Sequence, residues 1–345
     1  MQVRFEDVTM RFQDNTVLDK INFTLPSKQL VSFLGPSGCG KSTTLYLISG
    51  LLEASGGKIF FDDRDVTKLD PVKRQVGLVF QNYALYPHLT VLENIMFPLK
   101  MAKMPKKERR ERAEEMARLT RITDQLNKYP RQLSGGQQQR VAISRALSKS
   151  PDTLLMDEPL SNLDARLRIE MREEIRRIQQ ETEVTTVFVT HDQEEALSIA
   201  DRVMVLDKGE IQQISDPVTL YQRPNNLFVA KFIGTPIINT FQRSSVALNP
   251  EAEIFNQEWE LIGIRSEQFR LADESDYLIK AQVQRIENVG KETTIHCVAG
   301  EEHFVATDIE ANISENDTIY LKVKGDLLLF DQDNNIIESS GDNES

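Results

Sequence analysis

The sequence holds only two cysteines in 345 residues, Cys39 and Cys297. One of them lies inside a glycine-rich loop, so no disulfide framework is plausible and the cores must come from apolar packing. Long apolar runs are missing too. No stretch approaches the roughly 18 consecutive apolar residues that would span a bilayer. The opening MQVRFEDVTMRF has no apolar leader region, and the chain contains no long heptad run. These absences exclude a disulfide-stapled secreted domain and an integral membrane protein. They leave a globular, cytosolic chain with room for two domains.

Positive charge is scarce in one part only. Residues 1–235 carry 33 Lys+Arg and 31 Asp+Glu, whereas residues 236–345 carry 8 and 22, a net of −14 against −12 for the whole chain. That shift places a domain boundary at 235/236. Before it, apolar strands alternate with amphipathic helices, the pattern of a mainly parallel sheet covered on both faces. After it come short strand candidates at 261–265, 278–286, 293–298, 303–306, 318–323 and 327–330, separated by turn residues such as Gly290, Gly300 and Gly325. They predict a small all-β, OB-like barrel. OB barrels often bind oligonucleotides, but a net charge of −14 repels phosphate. A protein-binding or regulatory role is therefore favoured, with no nucleic acid as partner. The polar end IIESSGDNES is expected to fray.

Three segments carry chemistry. GPSGCGKST, residues 35–43, follows the apolar run Leu30–Leu34 and opens a helix with Thr43, Thr44, Leu45, Leu47 and Ile48. Gly35, Gly40, Lys41 and Ser42 match the phosphate-loop pattern in its required strand–loop–helix context. Backbone N–H groups from Gly35, Ser37, Gly38, Cys39, Gly40 and Thr43 would surround phosphate; Pro36, which has no N–H, shapes the bend. Lys41 would reach the β- and γ-phosphates of ATP, and the Ser42 hydroxyl would ligate Mg²⁺. LLMDEP, residues 154–159, ends an apolar strand in two carboxylates. Asp157 suits the metal side, and Glu158 suits the attacking water.

LSGGQQQR, residues 133–140, precedes Val141, Ala142, Ile143 and Ala146 at helical spacing. Ser134 can cap that helix, and Gly135, Gly136 and Gln137 offer backbone N–H groups, a second anion cradle. One chain needs one cradle per nucleotide, so the spare one suits the γ-phosphate held by another protomer. In order and spacing the three segments resemble ATP-binding-cassette (ABC) ATPases. The resemblance implies a P-loop α/β core with a helical subdomain at about 82–150, and two subunits, a homodimer or a pair of ABC ATPases, holding two ATP molecules head to tail.

Further positions match that family one by one. Gln81 resembles the glutamine that touches Mg²⁺ and water. Ser161, Asn162, Leu163 and Asp164 resemble the loop that crosses the dimer interface, and His191, after the strand Thr186–Thr190, resembles the histidine that contacts γ-phosphate. Phe12 resembles the aromatic residue stacked on adenine. The helix opening at Asp164 aligns Leu167, Met171, Ile175 and Ile178. Its Arg168, Arg172, Arg176 and Arg177 interleave with Glu170, Glu173 and Glu174, which reads as a solvated face rather than a nucleic-acid patch.

NYALYPHLTVLENI (82–95), EPLSNLDARLR (158–168), FVAKFIGTPIIN (228–239) and IGIRSEQF (262–269) narrow the resemblance to the ATPase of maltose-type carbohydrate importers, over nearly the whole chain. It implies ATP hydrolysis at the cytoplasmic face of the membrane, peripheral to two permease subunits that dock near Tyr83–His88. An extracellular solute-binding protein would be an indirect partner. The solute implied is a sugar or oligosaccharide; polyamine, sulfate, iron and a glycerol phosphate ester are alternatives, as is a soluble ABC ATPase acting on nucleic acid or ribosomes. The family's usual IGIRPED is altered here, with Ser266 for proline and Gln268 for aspartate.

Overall fold

The computed structural model describes residues 1–290, 292–309 and 313–337; most of the polar end expected to fray lies outside them. The chain divides into two compact units, Met1–Pro217 and Val218–Ser345.

The first unit begins with β1 (Val3–Phe12), β2 (Asn15–Leu25), β3 (Leu30–Leu34), α1 (Lys41–Ser49), β4 (Gly56–Phe61), β5 (Arg64–Asp65) and β6 (Val76–Val79). It continues through α2 (Val91–Met101), α3 (Lys106–Leu119), α4 (Gly135–Leu147), β7 (Thr153–Asp157), α5 (Ala165–Thr182), β8 (Thr185–Thr190), α6 (Gln193–Ile199), β9 (Arg202–Asp207) and β10 (Glu210–Ser215). A six-stranded sheet has the order β10-β9-β3-β8-β7-β6. All its neighbours run parallel except the edge strand β10, which returns antiparallel to β9.

Alternation along the central strands feeds two cores. Leu154, Met156 and Phe188 face a cluster with Ile143, Met171, Ile175 and Ile178. Leu155, Val187 and Val189 face another with Phe33, Leu45 and Ile48. Strands buried on both faces read as continuous apolar runs, which is why LLMD and TTVFVT carry no polar alternation. A second sheet, β2-β1-β4-β5, is antiparallel and lies over the latter core, contributing Val3, Phe5, Ile21, Phe23 and Ile59. No local pattern in the sequence marks this sheet, because its strands pair across long separations such as Val3 with Phe61.

The helices of residues 82–150 are set by local rules. Thr90 caps α2 in a reciprocal box with Glu93, the Thr90 hydroxyl accepting from the Glu93 amide. Ile95, Met116 and Val141 then bury against one another and the parallel sheet. The charged stripe of α5 is not wholly solvated as expected. Glu174 is buried and receives Arg140 Nη1 at 2.6 Å and Arg177 Nη2 at 2.8 Å, while Arg176 pairs with Asp201. Burial alone would raise the Glu174 carboxyl, but the Arg177 hydrogen bond and the charges of Arg140, Arg177 and Arg121 outweigh it and hold it below the usual range.

The second unit holds α7 (Pro217–Gln222, whose first residue belongs to the first unit), α8 (Leu227–Phe232), β11 (Asn239–Gln242), β12 (Leu261–Ile264), β13 (Phe269–Leu271), β14 (Ile279–Val289), β15 (Glu292–Ala299), β16 (Glu302–Thr307), β17 (Thr318–Val323), β18 (Leu328–Phe330) and β19 (Ile336–Ile337). It is a small all-β domain of two antiparallel sheets, β11-β12-β18-β19 and β13-β17-β14-β15-β16. Phe241, Ile264, Phe269, Ile279, Cys297 and Leu321 come from both sheets into one core.

The contact division falls at 217/218, ahead of the charge step at 235/236, and Arg265 shows why. Its buried guanidinium donates to the Ala230 and Ile233 carbonyls at 3.0 and 2.5 Å and to the Tyr221 carbonyl at 3.2 Å, and lies over the Tyr221 ring. These bonds hold the two short helices to the β domain before the acidic composition begins. The altered motif still closes its turn. Gln268 Oε1 accepts from the Arg265 amide at 2.8 Å, as a carboxylate would, and Ser266 is buried beside Thr307.

Candidate functional site

Four neighbouring parallel strands end at one edge of the six-stranded sheet, and each is followed by a residue singled out from the sequence. β3 leads into the 35–43 loop, β6 into Gln81, β7 ends at Asp157 and leads into Glu158, and β8 leads into His191. The carboxyl edge of a parallel sheet is where α/β folds bind ligands.

The loop geometry is demanding. Gly40 has φ 107°, and a Cβ there would fall 2.6 Å from Leu18 Cδ2. A Cβ on Gly35 would meet the Leu206 carbonyl oxygen at 2.2 Å. Lys41 is buried and its Nζ donates to the Gly35 and Pro36 carbonyls at 2.7 and 2.8 Å. Cys39 Sγ lies 3.8 Å from the same Nζ. Burial pushes that thiol up against the opposing pull of Lys41, so it is a packed loop residue rather than a ready nucleophile. Ser37 and Gly38 are exposed at the loop tip, and Thr43 is half-buried on the first turn of α1.

Ser42 Oγ donates to Asp157 Oδ1 at 2.8 Å. Beside that pair, Gln81 Nε2 lies 3.4 Å from Glu158 Oε2 and 3.3 Å from Ser161 Oγ, and His191 Nδ1 lies 3.3 Å from Glu158 Oε1. Asn162 Nδ2 donates to the Gln81 carbonyl at 2.8 Å, tying the two loops together. Glu158 itself sits at φ 44°, held by its amide on the Val189 carbonyl at 3.0 Å. A non-glycine residue kept left-handed costs free energy, and such strain concentrates at working sites.

His191 is bracketed by a turn. Thr190 Oγ1 donates to Glu195 Oε2 at 2.6 Å and accepts from the Asp192 amide at 3.0 Å. Burial raises the Glu195 carboxyl against the opposing pull of the Thr190 hydrogen bond. Sequence reasoning missed Thr190, Glu195 and also Tyr46, whose hydroxyl donates to Asp157 Oδ2 at 2.6 Å. Burial, then the bond to Asp157, pushes that phenol up to about 12. The available signal was spacing: Tyr46 stands four residues after Ser42, on the same face of α1.

Other predicted residues stand apart from this cluster. Phe12 is exposed at the tip of the β1–β2 hairpin. Ser134 and Gln137 bond each other at the start of α4, Ser134 Oγ accepting from the Gln137 amide at 3.3 Å and Gln137 Oε1 from the Ser134 amide at 3.0 Å. Their glycines serve close packing as well as exposure: a Cβ on Gly135 would reach Leu163 at 2.8 Å, and one on Gly136 would reach Leu167 at 3.0 Å. Leu163 thus packs beneath α4, and Asp164 caps α5 by accepting from the Leu167 amide at 3.0 Å.

Residues 18–161 match the family described as ABC transporter. The chain is 40% identical to the trehalose/maltose import ATP-binding protein MalK of Thermococcus litoralis, covering 88% of this chain and 90% of that one. It is also 40% identical to the Fe(3+) ions import ATP-binding protein FbpC of Fusobacterium nucleatum, covering 98% and 96%. This chain belongs to the ABC transporter ATP-binding family. Among solved structures it is similar to the dimeric post-hydrolysis state of the ATP-binding cassette MJ0796 bound to ADP and Pi, with 33% identity, a TM-score of 0.55, and coverage of 62% of this chain and 98% of that one. As a member of this family the chain binds ATP and is an ATPase. No helix among the described residues is long and apolar enough to cross a membrane.

Ser42 and Asp157 together present two hard oxygens 2.8 Å apart. That donor chemistry fits Mg²⁺, which takes one or two protein oxygens and completes its shell with phosphate and water.

Proposed function

We propose that this ATPase works as a dimer of identical chains at the cytoplasmic face of a membrane, where it powers uptake of a sugar or oligosaccharide through two permease subunits. The observation that carries the chemistry is the convergence on Glu158. Gln81 and His191 each lie within 3.4 Å of its carboxylate, and Asp157, bonded to Ser42, is its chain neighbour. Glu158 accepts the proton of the attacking water, Gln81 and His191 orient that water and the γ-phosphate, and Lys41 neutralises phosphate charge. Ser42 and Asp157 would hold Mg²⁺, which supplies charge for the phosphate oxygens when bound.

Phe12, exposed at the tip of the β1–β2 hairpin, offers its ring to adenine. Residues 134–137 and the 161–164 loop serve the second copy, Ser134 being exposed at a helix start while its own chain's phosphate loop is complete without it. Permease docking falls on the Tyr83–His88 segment. Tyr83 is buried there, but Ala84, Pro87 and His88 are exposed, and Arg145 fixes the segment by donating to the Ala84 and Tyr83 carbonyls at 2.7 and 2.9 Å. The solute-binding protein enters only through the permease.

The carbohydrate reading leans on the trehalose/maltose relative. The iron relative, equally identical over more of the chain, favours a second reading in which the solute is ferric iron. Uptake of labelled disaccharides and of ferric iron in cells lacking this gene decides between them. Loss of disaccharide uptake alone, restored by the native chain but not by Glu158→Gln, supports the first. Loss of iron uptake alone overturns it.

A further inference from the structure

Asp157 is nearly fully buried at the end of β7, yet its carboxylate is not left free to turn. Ser42 Oγ donates to Oδ1 at 2.8 Å, and on the other side the Tyr46 hydroxyl donates to Oδ2 at 2.6 Å. Ser42 and Tyr46 are one turn apart on α1, so a single helix addresses both oxygens. The ring of Tyr46 packs against the apolar core under the sheet. Its carbonyl is also engaged, accepting from Ser49 Oγ at 2.9 Å and from the Leu52 amide at 3.2 Å. The phenol is therefore delivered to Oδ2 by a side chain that has little room to move. A phenylalanine would fill the same core space, so packing alone does not account for the hydroxyl.

We propose that Tyr46 is a positioning residue for the metal side of the ATP site. By occupying Oδ2 it fixes the plane of the Asp157 carboxylate and reserves Oδ1, beside the Ser42 hydroxyl, for Mg²⁺. Loss of a group that orients a metal ligand without touching the ion typically costs about 10–100-fold in metal affinity or activity. The inference rests on Ser42 and Asp157 being the metal-side pair.

The test is metal binding to the full-length, ADP-loaded protein, with Mn²⁺ as the probe and electron paramagnetic resonance as the readout. Tyr46→Phe should weaken Mn²⁺ binding about tenfold, while ADP affinity measured in chelator stays at the native value. The Mg²⁺ concentration giving half-maximal ATP hydrolysis should rise by the same factor, with kcat recovered at saturating Mg²⁺. Ser42→Ala is measured alongside. Weakened Mn²⁺ binding in Ser42→Ala with native binding in Tyr46→Phe overturns the role of Tyr46 alone. Native binding in both variants overturns the metal-side pair and the role of Tyr46 together.

Discussion

Two helices in the first unit start at glycine-bearing segments, and they start differently. α1 begins after Gly40, which is left-handed and supplies no side-chain cap. α4 begins after Ser134, whose hydroxyl already accepts from the Gln137 amide. Lys41 and Ser42 open the first helix, and Asp157, Glu158, Gln81 and His191 lie at or just after adjoining strand ends. The second is surrounded by packing, with Leu163 and Leu167 against its glycines and Arg140 of the same helix bonded to Glu174. One chain therefore contains a glycine loop ringed by hydroxyl and carboxylate groups and, separately, a tightly packed helix start, which we propose as an anion cradle for a second copy. Two glycine-rich helix starts that look alike in sequence are thus set in different surroundings, one among the strand ends and one among packed side chains.

The comparison breaks most visibly at the first start. If Glu158 is the proton acceptor, as we propose, Glu158→Gln should lower kcat for ATP hydrolysis by about 10²–10⁴-fold while ATP still binds, measured by phosphate release and equilibrium dialysis. Turnover within a few-fold of native would remove Glu158 from its role. At the second start, Ser134→Arg should lower hydrolysis by about 10²-fold with nucleotide binding to the separate chain unchanged. A purely structural cap would give only the stability loss of a missing hydrogen bond, and retained hydrolysis in this variant would make the second start an ordinary helix end.

Smaller effects sharpen the mounting of α4. Glu174→Gln leaves Arg140 and Arg177 without their carboxylate and should destabilise the chain by roughly 2–3 kcal/mol, read by urea unfolding. The sign with pH is fixed by the lowered carboxyl. In the native chain this stabilisation is fully present above the unfolded value of 4.5 and is lost as pH falls through the lower folded value. The variant should show a flatter loss of stability in acid, and an unchanged acid slope would contradict the pairing. Smallest of all, Ser134→Ala should cost about 1 kcal/mol of thermal stability from the lost cap.

Much of this was legible in the sequence because its signals are local. Apolar runs followed by GPSGCGKST, DE and His191 mark strands buried on both faces, and the structure sets their carboxyl ends side by side. The small β domain was legible from short runs between turns, while its split into two sheets depends on pairings such as Ile262 with Leu329, far apart in the chain. Glu174 looked solvated because it stands in a charged run with Arg172, Glu173, Arg176 and Arg177; its burial is matched by Arg140 on another helix. Tyr46 went unread in TTLYLIS, since its hydroxyl meets a carboxylate 111 residues away. The antiparallel sheet β2-β1-β4-β5 escaped for the same reason, its register linking Val3 to Phe61.

The most direct test of the central claim asks whose nucleotide the second helix start serves. A tagged chain carrying Lys41→Ala is mixed with untagged native chain and an ATP analogue bearing a photoreactive γ-phosphate. After illumination the tagged chain is recovered and its peptides mapped. Label on residues 133–140 of the tagged chain is the predicted result. Label confined to the untagged chain would contradict a site shared between two copies.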